Sequence, residues 1–363
     1  MNSRFLNTEK LIRWENVLRI CGKLRLILCG FGVVGQSLAK LLDSRSEDLY
    51  ARFGIKPRIV GVFDSKGSAV ESSGLDLGKL LEVKKKFGTV KKYSSSNNNL
   101  SGVDLIKNIE GDVLVETTAS NYKDAEPGMS HITEAMKHGL HVISVNKGPL
   151  ALAFPSLMEL ATYNHVLLRF SGTVGGGTPI LDYAKNSLLG ERISSFDGIL
   201  NGTTNYILTN MADGLTFSDA LKDAQQKGYV EADESLDLDG LDAAAKLVIL
   251  ANWVMDLKVT MPDINRKGIR NVTTEDIKNA TKRNCAVKLI ASCNKDLIVA
   301  PKEISLDDPL CVNGTLNAIS FTSEHSGTQT IIGRGAGGTE TASSIIRDLL
   351  DIKQEISKTW NRI

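Results

Sequence analysis

Cysteine is scarce and scattered in this chain: Cys21, Cys29, Cys285, Cys293 and Cys311, with no Cys-x-x-Cys pair among them. That excludes a disulfide scaffold and a thiolate zinc site, and it is the usage of buried thiols in a reducing compartment, so a cytoplasmic location is expected. Net charge is almost absent, with 43 Lys+Arg against 42 Asp+Glu. No global field therefore steers the chain toward nucleic acid or an anionic membrane, and neither is expected as a partner. Long apolar runs are missing too; none approaches the roughly 20 residues that span a bilayer. The opening MNSRFLNTEKLIRWENVLRICGK mixes acids and bases where a secretory leader is cleanly apolar. A short amphipathic helix or a ragged terminus is expected there. Five lysines in VKKKFGTVKKYSSSNNNLSG, with a Ser/Asn loop behind them, read as solvated surface. What remains is an ordinary globular composition, 42% hydrophobic and 23% charged over 363 residues, enough for two domains.

Glycine, by contrast, is plentiful and placed with purpose. In LRLILCGFGVVGQSLAKLL (24–42) an apolar stretch of strand length meets Gly30-Phe31-Gly32-Val33-Val34-Gly35, and a helical pattern follows. Gly30 permits the tight turn, Gly32 lets the backbone approach a pyrophosphate at a helix N-terminus, and Gly35 lets helix pack on strand. The strand RIVGVFD ends at Asp64, an acid suited to a ribose 2′-hydroxyl, but Lys66 two residues on suits a 2′-phosphate. NAD and NADP both stay open. Further strands end at Thr117-Thr118 and Asn146-Lys147, with helical patterns between, which predicts α/β architecture with a doubly wound parallel sheet. Ligands in such sheets lie beyond the carboxyl ends of the strands, where Thr117, Thr118 and Lys147 fall.

The second half carries a glycine cluster, SGTVGGGTPI (171–180), that reads either as a tight turn under a cofactor or as carbonyls converging on a hard cation. GILNGTTNYI (198–207) predicts a strand, a turn and a helix capped by Thr203 or Thr204. Then comes EADESLDLDGLDAAAK (231–246), with six carboxylates and a terminal lysine. As a calcium loop, Ser235, Asp237, Asp239 and Gly240 fit positions one, three, five and six, but Lys246 stands where the bidentate glutamate belongs. The better reading is a buried helix N-capped by Asp239, with Asp242 and Lys246 one turn apart on one face. A buried ion pair is costly without further partners or a task. Beside a dinucleotide site, such a lysine is suited to protonate a carbonyl under reduction.

These segments resemble homoserine dehydrogenases over nearly the whole chain. GYVEADESLDLDGLDAAAK (228–246) is the most specific match, and GILNGTTNYI, SVNKG, TVGGGTPI and GRGAGGTETASSIIRDLL (333–350) follow the same family's order. The resemblance implies reversible reduction of L-aspartate 4-semialdehyde to L-homoserine with NAD or NADP, in threonine and methionine biosynthesis. It implies a Rossmann-type domain over 1–160, an α+β substrate-binding and dimerisation domain over 161–325, and a segment over 326–363 that returns to the nucleotide domain; a homodimer is implied too. By resemblance, Lys246 is the proton donor, with Asp242 and Lys147 beside it. Glu231, Asp237, Asp242 and Thr203 hold substrate. Gly228, Gly335 and Gly338 join the glycine turn, Asp64, Thr117, Thr118 and Lys147 at the cofactor. Carbonyls of Val174, Gly176 and Thr178 bind sodium or another monovalent cation. Two positions depart from the family's pattern: Ser171 where glutamate is frequent, and Glu234 where proline is usual. Only DIKQEISKTWNRI follows residue 350, so feedback through an appended ACT or kinase domain is not expected. Two alternatives are an aspartate-semialdehyde dehydrogenase, which needs a cysteine nucleophile in a suitable loop, and a dinucleotide sensor without turnover.

Overall fold

The computed structural model describes residues 24–94, 99–230 and 233–361. The first half builds a sheet in the order β3-β2-β1-β4-β5-β6. Its strands are β1 (Arg25–Cys29), β2 (Arg58–Asp64), β3 (Gly67–Val70), β4 (Val113–Glu116), β5 (His141–Ser144) and β6 (Leu168–Arg169). Five of them run parallel. The sequence reads β1 as unbroken apolar because helices cover both faces of a parallel sheet, and four of its five residues are fully buried. The sheet is not wholly parallel as expected: β3 folds back antiparallel on β2. The cause is local, since Asp64 accepts a hydrogen bond from the Lys66 backbone at 2.9 Å and closes the turn between them.

The second half builds a sheet in the order β12-β11-β7-β9-β10-β8, from β7 (Ile193–Ile199), β8 (Asn265–Arg266), β9 (Cys285–Cys293), β10 (Leu297–Ser305), β11 (Leu316–Ser323) and β12 (Gly327–Arg334). It is antiparallel except where β8 joins β10. The helix Leu241–Met255 lies between this sheet and the helix Lys147–Tyr163. Its residues from Ala243 to Asn252 are all buried. Leu247 and Leu250 are wholly inaccessible, each worth roughly 1.5–3 kcal/mol of burial. One apolar core joins Ile27, Leu114 and Val142 of the first sheet to Phe196, Leu289 and Phe321 of the second. The helix Gly338–Asn361 packs back on the helix Val33–Ser44, with Ala342, Ile345 and Leu349 sharing a core with β1. Among the described residues no helix is long and apolar enough to cross a membrane.

Two expected caps are corrected. The helix Leu241–Met255 is entered through Gly240 in the left-handed region, φ 75°, without a side-chain cap. That reversal turns Asp239 away to Arg270, at 2.6 Å from its Nε. The helix Gly202–Ala212 is capped by Asn201, which accepts from Thr204 N at 2.9 Å, rather than by Thr203 or Thr204.

Candidate active site

Three glycine segments meet at the carboxyl end of the first sheet. Gly30 has φ +99°, and a Cβ there would lie 2.7 Å from the Thr117 carbonyl carbon; a Cβ on Gly35 would lie 2.5 Å from the Gly30 oxygen. Both are therefore packing requirements. Gly32 differs: a Cβ there meets nothing within 4 Å. Its open side borders the first turn of the helix Val33–Ser44, whose N–H groups have no intrahelical acceptors, a ready anion cradle. Phe31 is buried beneath it while Val33 is 73% exposed. Val34 faces the core cluster of the first sheet. From the far end of the chain, a Cβ on Gly338 would meet Val33 Cγ1 at 2.6 Å and Ser37 Oγ at 2.8 Å, and one on Gly335 would meet the Asn317 side chain at 2.1 Å. From the middle, one on Gly176 would meet the Gly335 oxygen at 3.0 Å. Val174 is fully buried, and the Thr178 carbonyl accepts from Ile180 N at 2.8 Å.

Asp64 is placed otherwise than expected. Its carboxylate accepts from Lys66 N at 2.9 Å, Lys84 Nζ at 2.6 Å, Thr89 Oγ1 at 3.0 Å and Val90 N at 2.9 Å. Burial pushes its pKa up, but the bonds from Lys84 and the two backbone groups outweigh that and hold it below the usual value. Four donors fill the lone-pair positions of a carboxylate, so Asp64 acts here as the acid that folds the β2–β3 edge, not as an open ribose acceptor. Thr117 also has a structural bond: its hydroxyl donates to the Gly30 carbonyl at 2.8 Å.

The acid run resolves into unlike residues. Asp233 accepts from Ser235 N at 3.0 Å, and Glu234 and Asp239 both pair with Arg270. Glu231 lies outside the described residues. Asp237 and Asp242 converge on one amide: Asn201 Nδ2 donates to Asp237 Oδ1 at 2.6 Å and to Asp242 Oδ2 at 3.0 Å. Lys246, 7% exposed, pairs with Asp242 at 2.7 Å and donates to the Leu200 carbonyl at 2.6 Å. Lys147, at the start of its own helix after β5, brings its ammonium to 3.5 Å from the other Asp242 oxygen. Burial pushes Asp242 up, but Lys246 and then Lys147 reverse this and hold it well below the usual carboxylate range. Asp237 goes the other way: burial raises it, Asn201 pulls it back in part, and the charge on Asp242 raises it further. Thr203, in the first turn after Asn201, donates to the Tyr229 carbonyl at 2.7 Å, and Gly228 turns the chain toward that point with φ 72°.

Asn201, Leu200 and Asn317 were not among the expected site residues. Asn317 Nδ2 donates to the same Leu200 carbonyl at 3.0 Å. A polar residue directly after an apolar strand was the available signal for Asn201; nothing local marks the other two.

Residues 30–171 match the model of the homoserine dehydrogenase NAD binding domain, and residues 179–350 match the homoserine dehydrogenase model. The homoserine dehydrogenase of Methanocaldococcus jannaschii is 43% identical over 338 residues, covering 92% of this chain and 99% of that one. The chain belongs to the homoserine dehydrogenase family. It is an NAD(P)-dependent oxidoreductase that interconverts L-homoserine and L-aspartate 4-semialdehyde, which sets aside the aspartate-semialdehyde dehydrogenase and sensor alternatives. An NAD(+)-dependent homoserine dehydrogenase of Pseudomonas canavaninivorans is 38% identical, covering 92% of this chain and 97% of that one. A hyperthermophilic archaeal homoserine dehydrogenase solved in complex with NADPH superposes with a TM-score of 0.80 at 30% identity, covering 92% of this chain and 98% of that one. The fold is that of homoserine dehydrogenases.

Proposed function

We propose that Lys246 is the proton donor of this homoserine dehydrogenase and that Asp242, Asp237 and Glu231 hold the substrate. The observation that carries this is the Lys246 ammonium. One proton goes to the Leu200 carbonyl and one to Asp242, and the third is the one offered to the aldehyde oxygen. The bound dinucleotide supplies the hydride that reaches the aldehyde carbon. As the carbonyl double bond opens, negative charge grows on oxygen, and transfer of the lysine proton quenches it; the lysine is left neutral and regains a proton from solvent. In the reverse direction the neutral amine takes the hydroxyl proton of homoserine. Asp242 keeps the ammonium in register from one turn away, and Lys147 shares the same carboxylate. Asp237 and Thr203 line the approach on the side of the acid loop and suit the substrate ammonium.

The pyrophosphate lies in this reading over Gly30–Gly35, with Gly228, Thr117, Thr118, Lys147, Gly335 and Gly338 completing the nucleotide cleft. A monovalent cation on the carbonyls of Val174, Gly176 and Thr178 belongs to it as well, as do a homodimer formed through the second sheet, a cytoplasmic location and the division 1–160, 161–325 and 326–363. The free state of Cys29, Cys285, Cys293 and Cys311 supports a reducing compartment.

The deciding experiment is homoserine-dependent reduction of NAD⁺ and NADP⁺ by the wild type and by Lys246→Ala. Turnover should fall about 10²–10⁴-fold, the usual worth of a general acid, with cofactor affinity near normal. Unchanged turnover in Lys246→Ala refutes the assignment. The ratio of rates with the two cofactors reads the preference directly, and dependence of the rate on sodium tests the cation.

A further inference from the structure

A second buried cluster lies one layer beneath the site, and no step above uses it. Glu116 ends β4 and is completely inaccessible; in register it stands beside Cys29 of β1 and Ser144 of β5. One carboxylate oxygen faces His131 Nδ1 at 2.7 Å. The other accepts from Thr118 N at 2.7 Å, from the Thr118 hydroxyl and, at 3.5 Å, from Asn146 Nδ2. Asn146 also donates to Thr118 Oγ1 at 3.1 Å, and its side-chain oxygen Oδ1 caps the next helix by accepting from Gly148 N at 3.0 Å. Lys147 follows at once, its N–H on Ser120 Oγ at 3.0 Å and its ammonium on Asp242. A continuous chain of hydrogen bonds thus runs from His131 through Glu116, Thr118 and Asn146 to the turn that carries Lys147.

His131 has one orientation open to it. Its ring is 2% exposed, meets Phe63 edge-on with centroids 6.0 Å apart, and is closed on the far edge by Gly102, where a Cβ would lie 2.1 Å from Nε2. Cys29, Glu116 and His131 have ligand-capable atoms within 4.8 Å of one another, the arrangement of a metal site at first sight. The geometry argues otherwise. Ligands about a tetrahedral zinc stand roughly 3.3 Å apart, given bonds near 2.0–2.1 Å, whereas Glu116 and His131 are at hydrogen-bond distance. Burial and the Glu116 charge both push the Cys29 thiol well up, which keeps it a neutral neighbour. A buried carboxylate is tolerated when its lone pairs are used, and the Thr118 and Asn146 partners of this one lead to the site.

We propose that the Glu116–His131 pair is the positioning device of the strand-end surface: through Thr118 and Asn146 it fixes where cofactor and substrate meet and aims Lys147 at Asp242. The pair touches neither, so its effect travels through its partners. The inference rests on the assignment of Thr118 and Lys147 to the site, not on Lys246 as proton donor.

The test compares Glu116→Ala, His131→Ala and His131→Asn with the wild type by steady-state kinetics, by fluorescence titration with NADPH and NADH, and by thermal unfolding. An asparagine amide donates from nearly the same point as Nδ1. The expected result is a fall in kcat/KM of about 10²-fold for both alanine variants, as for a misplaced reacting geometry, with weaker nucleotide binding in the titration. His131→Asn should recover activity to within about 10-fold, and Glu116→Ala/His131→Ala should be no worse than Glu116→Ala alone, as for groups acting as a unit. If Glu116→Ala does not fold, the His131 pair of variants decides. Lower melting temperatures with unchanged kcat and KM overturn the proposal, because they mark a role in stability only. An equivalent of bound metal in the purified protein also overturns it. Normal turnover in Lys246→Ala beside impaired Glu116→Ala removes the proton-donor reading and leaves this one standing; the opposite pattern does the reverse.

Discussion

Asp348 offers a prediction whose size follows from its surroundings. It sits on the C-terminal helix, 2% exposed, and accepts from Ser171 N at 3.0 Å and from the Ser171 hydroxyl. That hydroxyl also reaches Asp182 Oδ1 at 3.3 Å, and Asp182 pairs with Arg347 at 2.7 Å. Burial raises the carboxyl most; the Ser171 bonds lower it, the Asp182 charge raises it, and Arg347 lowers it least, leaving it pushed up to about 7. In the unfolded chain it titrates near 3.8. Between pH 4 and 7 the folded chain therefore holds a proton that the unfolded chain has released, so stability falls as pH rises across that window and levels off above it. The shift corresponds to about 4 kcal/mol in total at about 1.4 kcal/mol per pKa unit. Asp348→Asn keeps an acceptor for Ser171 N and a donor for its hydroxyl, and it has no charge to release. Urea unfolding of both proteins at intervals from pH 5 to 8.5 should show the variant gaining on the wild type as pH rises, by up to about 3 kcal/mol across that range. Parallel stability curves would refute the argument, because they require Asp348 to ionise in the folded state as easily as in water.

Three further outcomes are expected. Gly32→Ala should fold with an unchanged melting temperature yet bind NAD(P)H more weakly, since its Cβ enters open space over the helix N-terminus; Gly35→Ala should lose about 1–3 kcal/mol of stability by overpacking against the Gly30 carbonyl. Equal behaviour of the two in nucleotide titration and thermal melts would contradict the division of roles. Asp242→Asn removes the carboxylate shared by Lys246 and Lys147; turnover should fall about 10²-fold or more, beyond what lost stability explains. Because Asp242 is depressed in the folded state, its stabilisation is full above the ordinary carboxylate pKa and lost as pH falls below it, so wild-type and variant melting temperatures should converge in acid. Lys288, 1% exposed, sits among the oxygens of Asn205, Thr209 and Asn313, with no carboxylate among the described residues in hydrogen-bond reach, and burial lowers it to about 8. The unfolded chain then holds the extra proton between about pH 8 and 10.5, so this residue adds stability as pH rises through that interval. Lys288→Met should flatten the wild-type rise measured by urea unfolding.

The sequence by itself determined the local chemistry. The strand–glycine–helix unit at Gly30–Gly35, the apolar helix from Leu241 and the one-turn spacing of Asp242 and Lys246 follow from periodicity, from the steric freedom of glycine and from helix pitch, all of which act over a few neighbouring residues. The family was legible for the same reason, its motifs being short and continuous. Only the tertiary structure decided which of the described acids face one another. Asp239 went to Arg270 because Gly240 reverses the chain, Asp64 was taken up by Lys84, Thr89 and Val90, and Asp237 and Asp242 were joined by Asn201 from another strand end. The Glu116–His131 pair was invisible for a like reason, as its partners come from β4, from the helix Gly128–Lys137 and from the turn after β5. A carboxylate's role is set by the donors that reach it, and donors 20 to 41 residues away in sequence are brought near only when the chain closes on its shared core.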